Sequence, residues 1–203
     1  MSPTERRTAA GGALLVVDMQ EKLLAAIDRR ELVVANTLRL VRAADALGMP
    51  AWATEQYPKG LGPTTAPLAE RFPDRPDKTK FHCCAIPQVL EQLHGRSIRH
   101  VTLAGIEAHV CVAQTALELL RLGFGVEVPA DAVASRGAID WEFALRRLER
   151  AGAIVTTTEA VLFEWIEGSD HPQFKAISAL VKGVVPPRPA PEDHHRADSR
   201  SHR

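Results

Sequence analysis

Short apolar runs alternate with longer amphipathic segments along most of the chain. The runs that predict buried strands are ALLVV (13–17), PAWAT (50–54), IRHVTLAG (98–105), GVEVP (125–129) and AIVTT (153–157). Between the first two, apolar residues recur at helical spacing, and Gly48 and Pro50 end the pattern: Leu23, Ile27, Val34, Leu38 and Val41. Further helices are predicted over residues 86–95, 110–122, 138–151, 158–167 and 173–182.

Apolar strands separated by helices are typical of parallel βαβ units. The pattern therefore predicts one α/β domain over residues 13–183, with three α/β/α layers and a mostly parallel central sheet. Residues 1–12 are polar, end in two glycines, and are expected to be flexible. Residues 184–203 are rich in proline and nearly devoid of apolar side chains, which predicts a disordered tail.

The charge balance limits the partners that the protein is expected to bind. Lys plus Arg and Asp plus Glu each number 25, so the net charge is zero and the pI is near 7.1. This balance favours neither nucleic acid nor an anionic membrane as a partner, and it does little to oppose a homo-oligomer. The run at 13–17 is too short for a signal peptide or a membrane span. Three cysteines do not form a disulfide framework, so we expect a cytoplasmic protein.

Several polar side chains follow the predicted strands, at the edge where parallel α/β sheets carry their chemistry. Asp18 follows the first strand, Glu55 with Gln56 and Tyr57 follows the second, and 105–111 follows the third. The long irregular stretch 55–77 predicts a lid or pocket wall, and Lys78 lies at its exit.

Cys111 has two interpretations on the evidence of its own residues. A buried cysteine that only packs is the ordinary one. Alternatively, a cysteine in the first turn of a helix lies near unpaired N–H groups and the positive end of the helix dipole, which favour a thiolate nucleophile. A nearby lysine would lower the thiol pKa further, and a carboxylate would move the proton. Asp18 and Lys78 supply these two groups.

Common cofactor and metal motifs are absent from the sequence. There is no glycine-rich nucleotide loop, no serine-hydrolase elbow and no zinc-protease helix. No histidine stands with a carboxylate at metal-ligand spacing, so neither a metal nor a cofactor is expected. Cys83 and Cys84 are expected to pack or to lie near a pocket rather than to form a vicinal disulfide.

Three motifs in a fixed order resemble the isochorismatase-like cysteine hydrolase superfamily, which includes nicotinamidases and related amidases. They are LLVVDMQEKL (14–23), KTKF (78–81) and AGIEAHVCVAQTALELL (104–120), and the likeness covers about residues 12–182. TEQYPKGLGPT (54–64) and HPQFK (171–175) are similar to the subgroup called isochorismatase domain-containing proteins.

The resemblance implies a role for each site residue. Asp18 would be the acid/base, Lys78 the cation beside the thiolate, and Cys111 the nucleophile. A cis peptide bond would join Ile106 to Glu107, so that the N–H groups of Glu107 and Cys111 receive the oxyanion. The substrate pocket is expected to include the side chains after the second strand, those after the lysine motif and one beside the nucleophile: Gln56, Tyr57, Phe81, His82 and His109. His82 replaces the family's usual serine, which changes the expected shape and polarity of the pocket.

Two departures narrow the implied activity. EQYPKGLG (55–62) stands where nicotinamidases carry a metal-binding Asp/His cluster, which disfavours a metal-dependent nicotinamidase. Isochorismatases that cleave a vinyl ether do not rely on the cysteine, so Cys111 indicates acyl chemistry. The predicted function is a metal-free cysteine hydrolase that cleaves the C–N bond of a small amide. A non-catalytic scaffold, and a redox-responsive protein in which Cys83 or Cys84 resolves oxidised Cys111, stay open as alternatives.

Overall fold

A parallel sheet forms the centre of residues 6–183, the part of the chain that the computed structural model describes. In this part the strands are β1 Gly12–Val17, β2 Ala51–Gln56, β3 Asp77–Lys78, β4 His100–Ile106, β5 Gly125–Pro129, β6 Val133–Ala134 and β7 Ile154–Thr156. Their order is β3-β2-β1-β4-β5-β7, with β6 also beside β4, and each of these pairings is parallel. The predicted mostly parallel sheet is confirmed.

Helices connect the strands and cover both faces of the sheet. They are α1 Glu21–Leu24, α2 Arg30–Ala46, α3 Pro58–Leu61, α4 Ala66–Arg71, α5 Pro87–Gly95, α6 Ala113–Arg121, α7 Ala138–Arg150, α8 Thr158–Ile166 and α9 Phe174–Lys182. A 3₁₀ turn at Cys83–Ala85 precedes α5, and a π-helical turn at Ala108–Val112 leads into α6.

Alternate residues of β1 face two separate apolar cores. Ala13, Leu15 and Val17 pack in one core with residues of α5, α6 and α7. Leu14 and Val16 pack in the other with residues of α2, α8 and α9. Because side chains alternate across a strand, a central strand with helices on both faces is apolar at every position. The predicted three-layer α/β/α fold is confirmed.

The single helix predicted from Leu23 onward is wrong. The chain forms two helices, α1 and α2, separated by residues 25–29. Tight backbone hydrogen bonds, Ala26 to Leu23 and Ile27 to Leu24, replace the α-helical pattern there. Ile27 is still buried, so the apolar spacing continues through a segment that is not helical.

The start of the described chain packs against the fold more closely than expected. Arg7 is buried and its backbone N–H donates to Glu164 of α8 at 2.8 Å. The backbone N–H of Ala9 donates to the carbonyl of Trp165 at 3.2 Å. Residues 7–9 are therefore held to α8, whereas a flexible segment was expected over 1–12. Residues 1–5 and the predicted disordered tail at 184–203 lie outside the described residues.

The strand order reverses between β1 and β4. From β1 the chain runs outward through β2 and β3 on one side, and from β4 through β5 and β7 on the other. In open parallel sheets the crevice outside the carboxyl ends at such a reversal is the usual ligand site. Asp18 directly follows β1, and Glu107 directly follows β4.

Candidate active site

A buried ion pair joins the ends of β1 and β3. The Lys78 ammonium donates to Asp18 Oδ2 at 2.6 Å, and both side chains are almost fully buried. Asp18 has a left-handed backbone (φ 49°), a conformation that aspartate adopts more readily than most residues and that is concentrated at functional sites. The pair brings together two of the residues that the sequence singled out.

Gln56 joins Lys78 to Cys111. Its Oε1 accepts from the Lys78 ammonium at 2.6 Å and lies 3.9 Å from Cys111 Sγ. Its Nε2 donates to the carbonyl of Thr79 at 3.0 Å, which fixes the direction of the amide. Since the Asp18 carboxylate is also close enough to raise the pKa of Cys111, one carboxylate, one ammonium, one amide and one thiol share a small volume.

Two residues that sequence reasoning did not assign to catalysis complete the interior of the site. The Thr54 hydroxyl donates to Asp18 Oδ1 at 2.9 Å and lies 3.4 Å from Cys83 Sγ. The backbone N–H of Cys83 donates to Thr115 Oγ1 on α6 at 3.0 Å. Cys83 was expected to pack or to lie near a pocket, whereas Thr54 carried no expectation beyond its place in a predicted strand.

Cys111 lies at the start of α6, as expected, but in a π-helical turn. Within Ala108–Val112 the N–H of Val112 bonds the carbonyl of Glu107 at 3.2 Å, five residues back, so the turn is wider than an α-helix. Such turns are frequent at functional sites. The peptide bond between Ile106 and Glu107 is cis, as the resemblance implied.

The buried setting of Cys111 favours the protonated thiol. Burial raises the pKa of Cys111 well above its ordinary value and the Asp18 carboxylate raises it further, which together outweigh the opposing effect of Lys78. Lys78 lowers this pKa, as expected, but burial and Asp18 outweigh it, so the expectation of a lowered pKa on balance is wrong. Burial alone would lower the pKa of Lys78, but the Asp18 carboxylate raises it on balance, so the ammonium stays charged.

The stretch 55–77 is ordered and contains α3 and α4. The Glu55 carboxylate accepts from the backbone and hydroxyl of Thr64 at 2.8 and 2.7 Å and from Arg75 Nε at 2.9 Å. Burial alone would raise the pKa of Glu55, but these bonds lower it on balance. The Gln20 side chain exchanges hydrogen bonds with the backbone of Gln56, at 2.7 and 3.0 Å, and so fixes the start of this stretch.

The remaining predicted pocket residues differ in exposure and in their contacts. Tyr57 and Phe81, which follow β2 and β3 in the chain, are 54% and 48% exposed. His82 precedes the 3₁₀ turn, and its buried Nδ1 has no hydrogen-bond partner within residues 6–183. His109 Nδ1 is 2.9 Å from Ser135 Oγ after β6. The Glu107 side chain accepts from Arg136 Nε at 2.9 Å, which holds the turn before Cys111 to the same segment.

Comparison with known proteins agrees with the order of these elements. The pattern of the isochorismatase domain matches residues 12–160, which include Asp18, Lys78 and Cys111. The chain belongs to the isochorismatase family. Isochorismatase domain-containing protein 2 of Danio rerio is 40% identical over 188 residues, which cover 92% of this chain and 94% of that protein. The resemblance seen in the sequence is confirmed.

Solved structures of the family share the fold. The MAR1 ribonuclease of Caenorhabditis elegans is 42% identical, with a TM-score of 0.81 over 90% of this chain and 98% of that one. YcaC of Pseudomonas aeruginosa, solved with covalent acrylamide, is 25% identical, with a TM-score of 0.79 over 87% and 92% of the two chains. YcaC of Escherichia coli, described as an octameric hydrolase of unknown specificity, is 25% identical, with a TM-score of 0.80 over 89% and 92%.

The resemblance places a metal-binding cluster of nicotinamidases just after the second strand. In this protein the side chains at that place bind other residues of the chain. Glu55 is bound to Thr64 and Arg75, and Gln56 is bound to Lys78 and Thr79. Within residues 6–183, no three His, Cys, Asp or Glu side chains are grouped so as to hold a metal ion. None of the helices in this range combines the length and apolar character needed to cross a bilayer.

Proposed function

We propose that this protein is a cysteine hydrolase that cleaves the C–N bond of a small amide through a thioester on Cys111. The observation that supports it best is the meeting of Cys111, Asp18 and Lys78 in one buried site beside the strand-order reversal. A thiol nucleophile, a carboxylate base and a fixed cation are the groups that acyl transfer requires.

Acylation would begin from the protonated thiol. As Cys111 Sγ attacks the amide carbonyl, its proton passes to the Asp18 carboxylate, and the N–H groups of Glu107 and Cys111 receive the oxyanion. Collapse of the tetrahedral intermediate breaks the C–N bond, and Asp18 returns the proton to the departing amine. Lys78 keeps its charge throughout and stabilises the negative charge that moves between the thiol and the carboxylate.

Hydrolysis of the thioester would use Asp18 in the same two roles, first as the base and then as the acid. Asp18 takes a proton from water while the oxygen attacks the thioester carbonyl, and the same two N–H groups hold the second oxyanion. The C–S bond then breaks, and Asp18 returns the proton to the leaving Cys111 sulfur. The products are a carboxylic acid and an amine. The raised pKa of Cys111 fits this cycle, because a thiol that rests protonated needs the base that Asp18 supplies.

A covalent adduct in a relative supplies a probe for Cys111. YcaC of Pseudomonas aeruginosa holds acrylamide covalently. Acrylamide combines an amide with a carbon that thiolates attack. By analogy, we expect acrylamide to enter the site of this protein and to modify Cys111.

Replacement of the nucleophile tests the proposal. We expect Cys111→Ala to abolish turnover of any amide that the wild type hydrolyses, and to abolish adduct formation at this position with acrylamide, followed by peptide mass mapping. Cys84→Ala is the matched control and should retain turnover, because Cys84 is also buried but its charged neighbours are Glu118 and Arg121. Turnover that survives Cys111→Ala would refute the thioester.

The name of the Caenorhabditis elegans relative raises ribonuclease activity as a competing function. The Lys78 ammonium is engaged by Asp18 and Gln56 and its side chain is only 1% exposed, so it is poorly placed to bind a phosphodiester. The zero net charge also lacks the basic excess typical of RNA-binding domains. An RNA oligonucleotide should therefore remain intact in the assay, and RNA cleavage that Cys111→Ala abolishes would favour the competing function.

We also propose that the protein forms a homo-oligomer. Ile139 and Phe143, one turn apart on α7, are largely exposed, and such apolar pairs are common at subunit interfaces. The octameric YcaC of Escherichia coli shows that this fold supports assembly in at least one relative. Light scattering during size-exclusion chromatography measures the number of subunits directly, and a monomeric mass would refute the proposal.

A further inference from the structure

The two oxygens of the Asp18 carboxylate have different partners. Oδ2 accepts from the Lys78 ammonium at 2.6 Å, and Oδ1 accepts from the Thr54 hydroxyl at 2.9 Å. A carboxylate held at both oxygens cannot rotate about its terminal bond without losing a charge-assisted hydrogen bond. The direction in which Asp18 faces the thiol of Cys111 is therefore set by Thr54 as well as by Lys78.

The number of available protons decides which atom is the donor in the hydrogen bond between Thr54 and Cys83. A hydroxyl has one proton, and Thr54 gives it to Asp18, because an ionised carboxylate can only accept. At the 3.4 Å contact between Thr54 Oγ1 and Cys83 Sγ, the thiol must therefore be the donor. Burial, with a contribution from Asp18, raises the pKa of Cys83 to about 11, which keeps this thiol protonated near neutral pH.

Cys83 is also held by a hydrogen bond to α6, the helix that follows Cys111. Its backbone N–H donates to Thr115 Oγ1 on α6, one turn beyond Cys111, at 3.0 Å. Cys83, Thr54 and Thr115 are all fully or almost fully buried, so water does not compete for these bonds. A directed chain runs from the Cys83 thiol to the Thr54 hydroxyl and on to the carboxylate that faces Cys111.

We propose that Thr54 is a positioning residue for the acid/base Asp18, and that the Cys83 thiol sets the direction of the Thr54 hydroxyl. This inference rests on the proposed hydrolase function and extends it to two residues that touch no substrate. Thr54 would hold Asp18 in the orientation that accepts the Cys111 proton and returns it to the amine. Cys83 would have a structural part in catalysis without being a nucleophile.

Substitution of Thr54 separates positioning from folding. Thr54→Val keeps the shape of the side chain and removes the hydroxyl, and we expect about 10- to 100-fold lower kcat with KM nearly unchanged, as for a lost hydrogen bond to a charged group. Thr54→Ser keeps the donor and should recover most of the rate. Thr37→Val is the control for loss of a buried hydroxyl, because the Thr37 hydroxyl bonds within α2, to the carbonyl of Val33; it should leave kcat unchanged.

Variants of Cys83 test the same series of hydrogen bonds if Thr54→Val does not fold. Cys83→Ser keeps a donor to Thr54 and Cys83→Ala removes it, so we expect the alanine variant to have the lower kcat. Wild-type kcat in Thr54→Val, equal kcat in the two Cys83 variants, or a failure of Thr54→Ser to recover the rate would each overturn the inference. Because Cys111→Ala is measured in the same assay, turnover that survives that substitution refutes the hydrolase proposal itself and is distinguished from a failure at Thr54.

Discussion

The Lys78 ammonium has no bulk water to stabilise its charge. It lies between Asp18 and Gln56, and the pair of charged side chains is 1% and 0% exposed. A buried ion pair contributes little net stability when both partners are present, but removal of one leaves an uncompensated charge. The arrangement proposed for catalysis therefore makes the stability of the fold depend on both partners.

A double-mutant cycle measures this dependence. Lys78→Met should lower the free energy of unfolding by about 3–5 kcal/mol, because the buried Asp18 carboxyl group then lacks the cation that compensates it. Asp18→Asn combined with Lys78→Met should recover part of that loss, since no net charge is then buried. Urea denaturation of the two single variants and the double variant gives the coupling energy. Strictly additive losses would contradict a coupled pair.

Residues differ in how far the sequence reveals their part in the site. Asp18 and Cys111 follow predicted strands, and Lys78 lies at the exit of the stretch 55–77. All three stand in distinctive local sequences, and the structure brings them together. Thr54 could not be recognised, because a threonine at the end of a strand has the same pattern whether it packs or binds a carboxylate. The raised pKa of Cys111 could not be predicted either, since it depends on burial that only the assembled fold creates.

At the scale of elements, β1 and β4 pair closely where the strand order reverses. Val17 pairs with Gly105, which has φ +124°. A Cβ at Gly105 would overlap the backbone of Val17, including its carbonyl oxygen. Since Asp18 follows Val17 and Glu107 comes two residues after Gly105, this close approach sets the distance between the two halves of the site.

Substitution of Gly105 should therefore damage both stability and the site. Gly105→Ala combines an unfavourable φ with a backbone clash, for an expected loss of about 3 kcal/mol or more in the free energy of unfolding. Gly48→Ala is the matched control, because Gly48 also has a positive φ (+64°) but a methyl group added there would meet no atom within 4 Å. The control should lose about 1 kcal/mol. Equal losses in chemical denaturation would show that the clash is relieved at no cost.

The sequence predicted the long strands and helices better than the short ones. The alternation of apolar runs and helical spacing located the five longest strands and the helices that cover them. The break between α1 and α2 was missed because Ile27 keeps the apolar spacing through the turn. β3, β6 and the short helices α3 and α4 were missed as well, since two to six residues are too few to show a period.

At the scale of the whole molecule, one buried carboxylate makes the stability of the fold depend on pH. Glu127 in β5 is fully buried and accepts from Thr102 on β4 at 2.9 Å through one oxygen. Burial raises its pKa from 4.5 to about 7; Glu164 adds to the rise, and Arg7 opposes it. Glu127 takes no part in the proposed chemistry, so its effect falls on the stability of the fold.

The free energy of unfolding should therefore fall as the pH rises. A pKa that is higher in the folded state than in the unfolded state gives stability that is complete below about pH 4.5 and is lost as the pH rises through about 7. The shift corresponds to about 3 kcal/mol. Glu127→Gln removes the titration, so the difference between wild type and variant should change by about this amount between pH 5 and pH 8. Urea unfolding at both pH values measures it, and a difference that does not change with pH would contradict the assignment.

The burial of all three cysteines gives the protein an intrinsic probe of its own motions. Cys83, Cys84 and Cys111 are free and buried, and they lie on two segments that enclose one side of the site. A water-soluble thiol reagent reaches Cys83 and Cys84 only when the 3₁₀ turn opens, whereas it reaches Cys111 through the proposed substrate site. The rate at which each one is modified in the native protein therefore reports local opening of the 3₁₀ turn and access to the site separately, without any introduced label. Ligand that closes the pocket would slow these rates even where no catalytic turnover can be observed.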